Sequence, residues 1–485
     1  MISHSQILQT KRHGGSRKII RLRKFALPFV CLLFSACGAQ QYDPRPVSAE
    51  GIAKGLDDHS LNSPALRRFI QAHYRQPELS WPPREWNLDN LTLVAFFFNP
   101  ELDAARAKLA TTEAAQISAA QRPNPVLQLP LQRTLNPKVG DSPWTLGFGL
   151  DIPLETAGKR GYRMDEAAYL VTAFRLQMAN AAWRVRSQLR EHLLALRATS
   201  ERAKLVQQQV KLDQTLVSML EKRLLAGYAS AWEVNQQRLS LIQSRNDLLT
   251  AQREMAAARV RVATVLGLRV ERLAGNELDL TEFGQVPFEI PAQEIRLQAL
   301  LNRADVLEGL VQYQASQAAL QLEVAKQYPN LHLGPGYTLD QGARKIGFDF
   351  AGLELPIINR NEGPIAEARG RRVEAEARVR QVEAKAFADA DSAATAYLTS
   401  NDIVIQNQAQ LAVQRRQLAS AQRALAIGQG DRTSLVLAEK AELVAQLAVL
   451  ESIFQMQQAI GRVEDAMQRT ISGTFVQYSL NELVK

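Results

Sequence analysis

Sulfur is nearly absent from this chain: Cys31 and Cys37 are its only cysteines in 485 residues. The first lies in an apolar N-terminal stretch that a secretory signal would remove, so the mature monomer can form neither a disulfide nor a Cys-based metal site. Histidine is scarce too. Beyond that stretch only His59, His73, His192 and His332 remain, too scattered to suggest a zinc site or a His-based triad, and no enzyme activity, cofactor or bound metal is expected. Aromatic residues make up 6%, modest for a chain built of conventional cores. The N-terminal apolar run, Phe25 to Phe34, is ten residues long, too short to cross a bilayer as a helix. Proline and glycine are missing from Tyr162 to Leu225. At 1.5 Å per residue that stretch makes a helix of roughly 95 Å, which must lie in a bundle or coiled coil.

Positive charge is plentiful but badly placed for nucleic acid. The formal net charge is +9, yet Lys11, Arg12, Arg17, Lys18, Arg21, Arg23 and Lys24 all precede residue 37 with no acid among them, and without those seven the chain carries +2. They form the basic region of a secretory signal, and nucleic acid drops out as a partner. The stretch Leu33-Phe34-Ser35-Ala36-Cys37-Gly38 resembles a bacterial lipobox, whose cysteine is diacylated and becomes the new N-terminus. Phe34 departs from the pattern, which usually has Leu, Val or Ile there, and an ordinary cleavage site with an incidental cysteine is the alternative. On the lipobox reading residues 1–36 are the signal and Cys37 carries the lipid. Gly38, not Asp, follows it, as in lipoproteins sorted to the outer membrane.

Two copies of one unit then organise the chain. Residues 37–97, interrupted by Pro44, Pro46, Pro64, Pro77, Pro82 and Pro83, read as an anchor and strap without long elements. Repeat 1 spans 98–267. Asn99-Pro100-Glu101 starts a helix, with Asn as cap, Pro in the first turn and an acid near the positive dipole end. Alternating runs at about 125–133 and 143–153 then predict a hairpin. The long helix ends at Gly227, Ser230-Ala-Trp-Glu233 has capping-box spacing, and a second helix returns to about Leu266. An equatorial connector spans 268–298. Repeat 2 spans 299–470, with a helix from Asn302, strands at about 329–339 and 344–356, a helix from the Pro364 region to about Ile427 and another from Arg432; a tail occupies 471–485. Leu102 matches Val306, and Pro125 matches Pro329, at an offset of 204, shrinking to 203 at Pro153 and Pro356 and to 201 at Gly227 and Gly428.

Each hairpin strand has about the 9 to 11 residues that a tilted transmembrane strand needs. Trp144, Leu146, Phe148, Leu150 and Ile152 fall on one face, opposite Thr145, Gly147, Gly149 and Asp151, as in a strand between lipid and lumen. Four strands cannot close a barrel and lipid does not tolerate an open edge, so three chains giving twelve strands is the simplest closure. His332 then reads as a lumen-facing polar residue rather than a ligand. The slip of alternation at Ala351-Gly352 predicts a bulge or bend.

The layout helix, hairpin, long helix, glycine turn, helix, twice over behind a lipobox, resembles the outer-membrane efflux protein family of TolC and OprM-like exit ducts. The fragments Pro123-Asn-Pro-Val-Leu-Gln-Leu, Tyr328-Pro-Asn-Leu-His-Leu and Leu355-Pro-Ile-Ile-Asn-Arg-Asn-Glu-Gly363 carry the likeness, and Pro153-Leu-Glu-Thr-Ala-Gly-Lys-Arg160 is similar to its CzcC-like, heavy-metal branch. The resemblance implies a mainly α protein with a transmembrane β part: a homotrimer whose 12-stranded outer-membrane barrel continues into a long periplasmic α-helical barrel. It implies the exit duct of a tripartite efflux system, with an inner-membrane RND-type transporter and a periplasmic adaptor as partners, and metal cations or drugs as cargo. Family members often carry an acid six residues past the turn glycine, which implies a periplasmic gate at Glu233. Ser434 occupies that place in repeat 2, leaving Asp431 and Glu439 as substitutes. Both Glu233 and Asp431 also read as helix caps. Arg223, Gly227, Gly428 and Arg432, at or beside the tip, are candidate adaptor contacts, and the charge-rich stretch from Glu367 to Lys385 reads as a solvated face. The competing class is a lipid-anchored coiled-coil scaffold of the envelope without a pore.

Overall fold

The structure is a computed structural model and describes residues 41–73, 81–284, 292–350 and 354–471. Cys37, the Ala351-Gly352 bend and the tail past residue 471 lie outside the described residues. The chain divides into a small unit, Met1–Gly55, and a large one, Leu56–Lys485. In the small unit Arg45 pairs with Asp43, and the Ser48 hydroxyl accepts from the Gly51 amide.

Helices dominate. In order they are α1 (Ala49–Asp58), α2 (Pro64–His73), α3 (Leu88–Phe98), α4 (Pro100–Ala119), α5 (Lys159–Leu225), α6 (Ala231–Val265), α7 (Ala292–Asn302), α8 (Ala304–Ala325), α9 (Glu362–Ala426) and α10 (Arg432–Met467). None in the described residues is long and apolar enough to cross a membrane. The long helix α5 has 67 residues and α9 has 65. Each folds back on its successor through a left-handed glycine, Gly227 (φ 78°) and Gly428 (φ 75°). At both turns a backbone amide reaches five residues back, Tyr228 to Arg223 at 2.7 Å and Gln429 to Ala424 at 2.9 Å, the arrangement that closes helix C-termini.

Two expectations need correction. The strap is not irregular: α3 is the most enclosed element, with Leu91, Leu93, Val94, Ala95 and Phe96 all within 2% exposure, packed with Val185, Leu189 and Leu193 of α5 and Val262 of α6. Its sequence is unbroken apolar from Leu93 to Phe98, so no amphipathic period marked it. Nor does a helix begin at Asn302. That residue ends α7, and α8 starts after Arg303, which leaves the helical region (φ −66°, ψ 120°) while its guanidinium clamps Asp305 and Asp389.

The strands are β1 (Glu85–Trp86), β2 (Val126–Gln128), β3 (Leu131–Arg133), β4 (Trp144–Leu154), β5 (Glu277–Leu278), β6 (Leu331–Asp340) and β7 (Ala343–Phe350). The short pair β1 and β5 ties strap to connector. The rest form one antiparallel sheet in which β2 and β3 flank β4, β4 pairs with β6, and β6 pairs with β7. The first expected strand is split because Pro130 has no amide to donate; its carbonyl accepts from Gly147 instead. The last is strand through Phe350, and residues 354–361, beyond the undescribed 351–353, are turn and irregular chain, not strand.

Candidate functional site

The sheet has two unlike faces. Register places Leu127 and Leu150, Leu131, Leu146 and Leu339, Phe148, Tyr337 and Ile346, and Leu154 and Leu331 in cross-strand rows on one side. Phe148 is 55% exposed, and Ile346 and Phe348 more than 80%. The opposite side carries a glycine row, Gly149, Gly336 and Gly347, and polar side chains. There the Thr145 hydroxyl donates to Asp340 at 2.7 Å, as does Lys345. His332 Nδ1 meets Asp151 Oδ1 at 2.9 Å, so His332 sits on the polar face. Both sheet edges, β2 with β3 and β7, are unpaired among the described residues.

A joint of three cations fastens this sheet to the helices. Left-handed Ala157 and Gly158 turn β4 into α5. Lys159, 8% exposed, donates to the Tyr328 carbonyl and to Asn330 Oδ1 (2.6 Å); Arg160 donates to the Ala120 carbonyl; Arg163 donates to those of Ala119 and Gln121 and grips Glu155. The first turn of α5 thus closes the C-terminal ends of α4 and α8, where positive charge complements the dipole. The Gly-Lys-Arg motif was visible in the sequence as a resemblance, but its capping role was not. Replacing Lys159 by Ala removes two charge-assisted bonds from a buried site and is expected to lower stability by about 2–4 kcal/mol, measured as the thermal midpoint of the purified protein; a loss under 1 kcal/mol contradicts the joint.

About 100 Å of α5 separates the joint from the far turns. There Glu233 completes the capping box: its carboxylate accepts from the Ser230 amide at 2.7 Å, and Ser230 Oγ accepts from the Glu233 amide at 3.2 Å. The Ser230 amide and hydroxyl hold that carboxyl below its ordinary range. Asp431 occupies the N-cap position of α10 in extended conformation and faces Thr433 without closing a full cap bond. The amide and hydroxyl of Thr433, then Arg223, hold its carboxyl low as well. Arg223 of α5 bridges to Asp431 (3.4 Å) and Thr433 (3.3 Å), joining the two turns. Glu439 lies about two turns up α10, half-buried and apart from them, while Arg432 is exposed. Exposed Leu225, Tyr228, Trp232 and Ile427 surround these turns and were not singled out by sequence. Between turns and equator the fully buried Asp213 of α5 accepts from Lys440 of α10 (2.6 Å) and Gln237 of α6 (3.0 Å). Exposed Glu-Arg pairs four apart, Glu367 to Arg371, Glu374 to Arg378 and Glu376 to Arg380, make the charge-rich stretch a solvated face.

Known proteins share this geometry. Residues 98–268 match the family model described as outer membrane efflux protein. The chain is 26% identical to the cobalt-zinc-cadmium resistance protein CzcC of Cupriavidus metallidurans over 271 residues, 56% of this chain and 63% of that protein, a little under two thirds of its length. It is 23% identical to the pyoverdine export outer membrane protein OpmQ of Pseudomonas aeruginosa over 83% of this chain and 86% of that one. The outer membrane protein VceC of Vibrio cholerae superposes with a TM-score of 0.64 at 18% identity, covering 79% of this chain and 96% of that structure. The family pattern, the two helical hairpins and the two-faced sheet together make residues 98–268 similar to the outer membrane efflux protein family.

Proposed function

We propose that this chain is one third of an outer-membrane exit duct. Three copies pool their sheets into a 12-stranded barrel, and their helical hairpins, two per chain from two copies of one unit, into a periplasmic α-barrel. Cys37 anchors each copy to outer-membrane lipid. An RND-type pump in the inner membrane and a periplasmic adaptor load the duct from the far turns.

The observation that carries this reading is the sheet, apolar and exposed on one face, polar on the other and, among the described residues, unpaired at both edges. Lipid accepts the apolar face but not the free edges. The β7 strand runs toward the helices and β2 runs away from them, so the edge of one copy meets the next antiparallel and closure preserves the pattern. The purified protein is expected to run in SDS as a heat-modifiable trimer; a band at monomer size without heating contradicts pooling, and a lipidated Cys37 in the mature N-terminal mass tests the anchor.

The far turns form the duct entrance, with Arg223 and Asp431 tying its two helical hairpins together and Glu233 serving as a cap. Asp431→Ala is expected to raise resting conductance; unchanged closure with lowered stability assigns Asp431 to capping alone. Divalent metal cations are the cargo, supported by the likeness to CzcC, and deletion of the gene is expected to lower tolerance to cobalt, zinc or cadmium. An organic cargo is the second reading, carried by the longer match to a pyoverdine export protein.

A further inference from the structure

We propose that the turn between the sheet and α9 docks on the phospholipid headgroup layer at the periplasmic border of the membrane, with Ile357 and Ile358 among the lipid chains and Arg360 on a phosphate. The inference rests on the reading of the sheet as lipid-facing and names the partner of its rim nearest the helices.

Isoleucine is costly to leave in water, yet Ile358 is 97% exposed, Ile357 75% and Leu355 63%. The chain that carries them is braced. The Ile357 amide donates to the Leu355 carbonyl at 2.8 Å, and Asn359 Oδ1 accepts from the Asn361 amide at 2.9 Å. The Asn361 side chain donates to the Glu323 carbonyl of α8 at 2.8 Å, and Asn361 holds the left-handed conformation (φ 59°) from which α9 starts. Three apolar side chains are thus held out at a fixed place, a patch that calls for a partner.

The two sides of the turn are unlike. Glu354, Pro356, Asn359 and Asn361 line a cavity of about 890 Å³ that His332 borders from the polar face of the sheet. Leu355, Ile357, Ile358 and Arg360 do not line it; they lie on the other side, which is that of the exposed Ile346 and Phe348 of β7. The apolar surface of the sheet therefore continues past the end of the strand toward the helices. Arg360 is exposed, and among the described residues no hydrogen bond or ion pair holds its guanidinium. A cation two residues from a pair of isoleucines is the pattern of an interfacial anchor, apolar groups in the chains and charge among the phosphates. Water would leave the isoleucines exposed, and a dry seam with a second copy would strip water from Arg360. The headgroup layer accepts both.

The test uses the full-length trimer, in which Cys37 is the one cysteine past the signal. Ile358→Cys is labelled with a fluorophore and reconstituted in vesicles of phosphatidylethanolamine and phosphatidylglycerol, and wild type treated alike reports any label at Cys37. Quenching by a lipid carrying a nitroxide on its chain, and not by aqueous iodide, is expected. A nitroxide on phosphatidylglycerol is expected to quench about fivefold more than one on phosphatidylcholine, falling to parity when Arg360→Gln is added; parity with Arg360 in place overturns the phosphate contact. Phe348→Cys, on the apolar face of the sheet, is the control. Lipid quenching at 348 with iodide quenching at 358 puts the turn in water, and shielding from both quenchers puts it beneath a second copy; either overturns the proposal. No lipid quenching at 348 means that the sheet does not meet lipid, and the duct reading fails together with the anchor.

Discussion

Glu464→Ala is expected to destabilise the protein by about 3–5 kcal/mol, the cost of stripping a buried ion cluster of its counter-charge. Glu464 is 5% exposed, and its Oε2 faces Arg186 at 3.1 Å and Arg190 at 3.4 Å. Its other oxygen accepts from the Ile471 amide at 3.1 Å. Arg190 also reaches the Gln457 carbonyl and side chain, and only a glycine at 461 leaves it room, since a Cβ there would sit 2.6 Å from Arg190 Nη1. The cluster joins α5 to the end of α10, the first helical hairpin to the second. Removing the carboxylate takes away the one ion-pair partner that Arg186 and Arg190 share, and leaves the two buried guanidinium groups to the neighbouring carboxyls of Asp89, Glu282 and Asp465. Glu464→Gln keeps an acceptor for Ile471 and is expected to cost less. Thermal midpoints of the purified protein check both, and a Glu464→Ala effect below 1 kcal/mol means the cluster is not desolvated.

The same region has a pH dependence with a definite sign. Burial pushes the carboxyls of Asp89 and Asp465 above their ordinary range, against the opposing pull of Arg186 on Asp89 and of Ser187 and Trp183 on Asp465. A raised carboxyl binds its proton more tightly folded than unfolded, so its contribution to stability is present at acid pH and is lost as pH rises through the folded value. Substituting both by Asn is therefore expected to raise the thermal midpoint more at pH 8 than at pH 5; equal shifts at the two values contradict this.

Phe148→Arg carries the second large effect. Phe148 sits mid-strand on the apolar face, 5.8 Å ring to ring from Tyr337 and 55% exposed. A guanidinium on the lipid face near mid-bilayer costs about 2–4 kcal/mol, and the proposed assembly meets that cost in every copy. Protease-resistant trimer in the outer membrane is expected to vanish, whereas Gln132→Arg, on the polar face of β3 beside Thr145, is expected to assemble normally. Equal assembly of the two variants would show that this face does not meet lipid.

What could be read from the sequence was local. Proline and glycine marked the hairpins, the uninterrupted stretch gave α5 within three residues of its start, and Ser230 with Glu233 announced a capping box that the structure contains. What escaped depended on distance. Pairing of β4 with β6 joins Ile152 to Leu333, and no periodicity encodes a partner 181 residues away. The cluster of Arg186, Arg190 and Glu464 is silent for the same reason. Helix α3 hid because its unbroken apolar run from Leu93 to Phe98 shows no period, and the break at Arg303 because neither glycine nor proline marks it. At the far turns, sequence alone could not choose between cap and gate for Glu233, and the capping geometry takes up its carboxylate.

The central claim is that several copies of this two-faced sheet and these long helices enclose a continuous bore. Purified protein added to planar lipid bilayers measures it directly. Discrete, uniform conductance steps from heat-labile trimers, lost in Phe148→Arg, are expected. A silent bilayer, with trimers intact and inserted, contradicts the duct and leaves a lipid-anchored helical scaffold in its place.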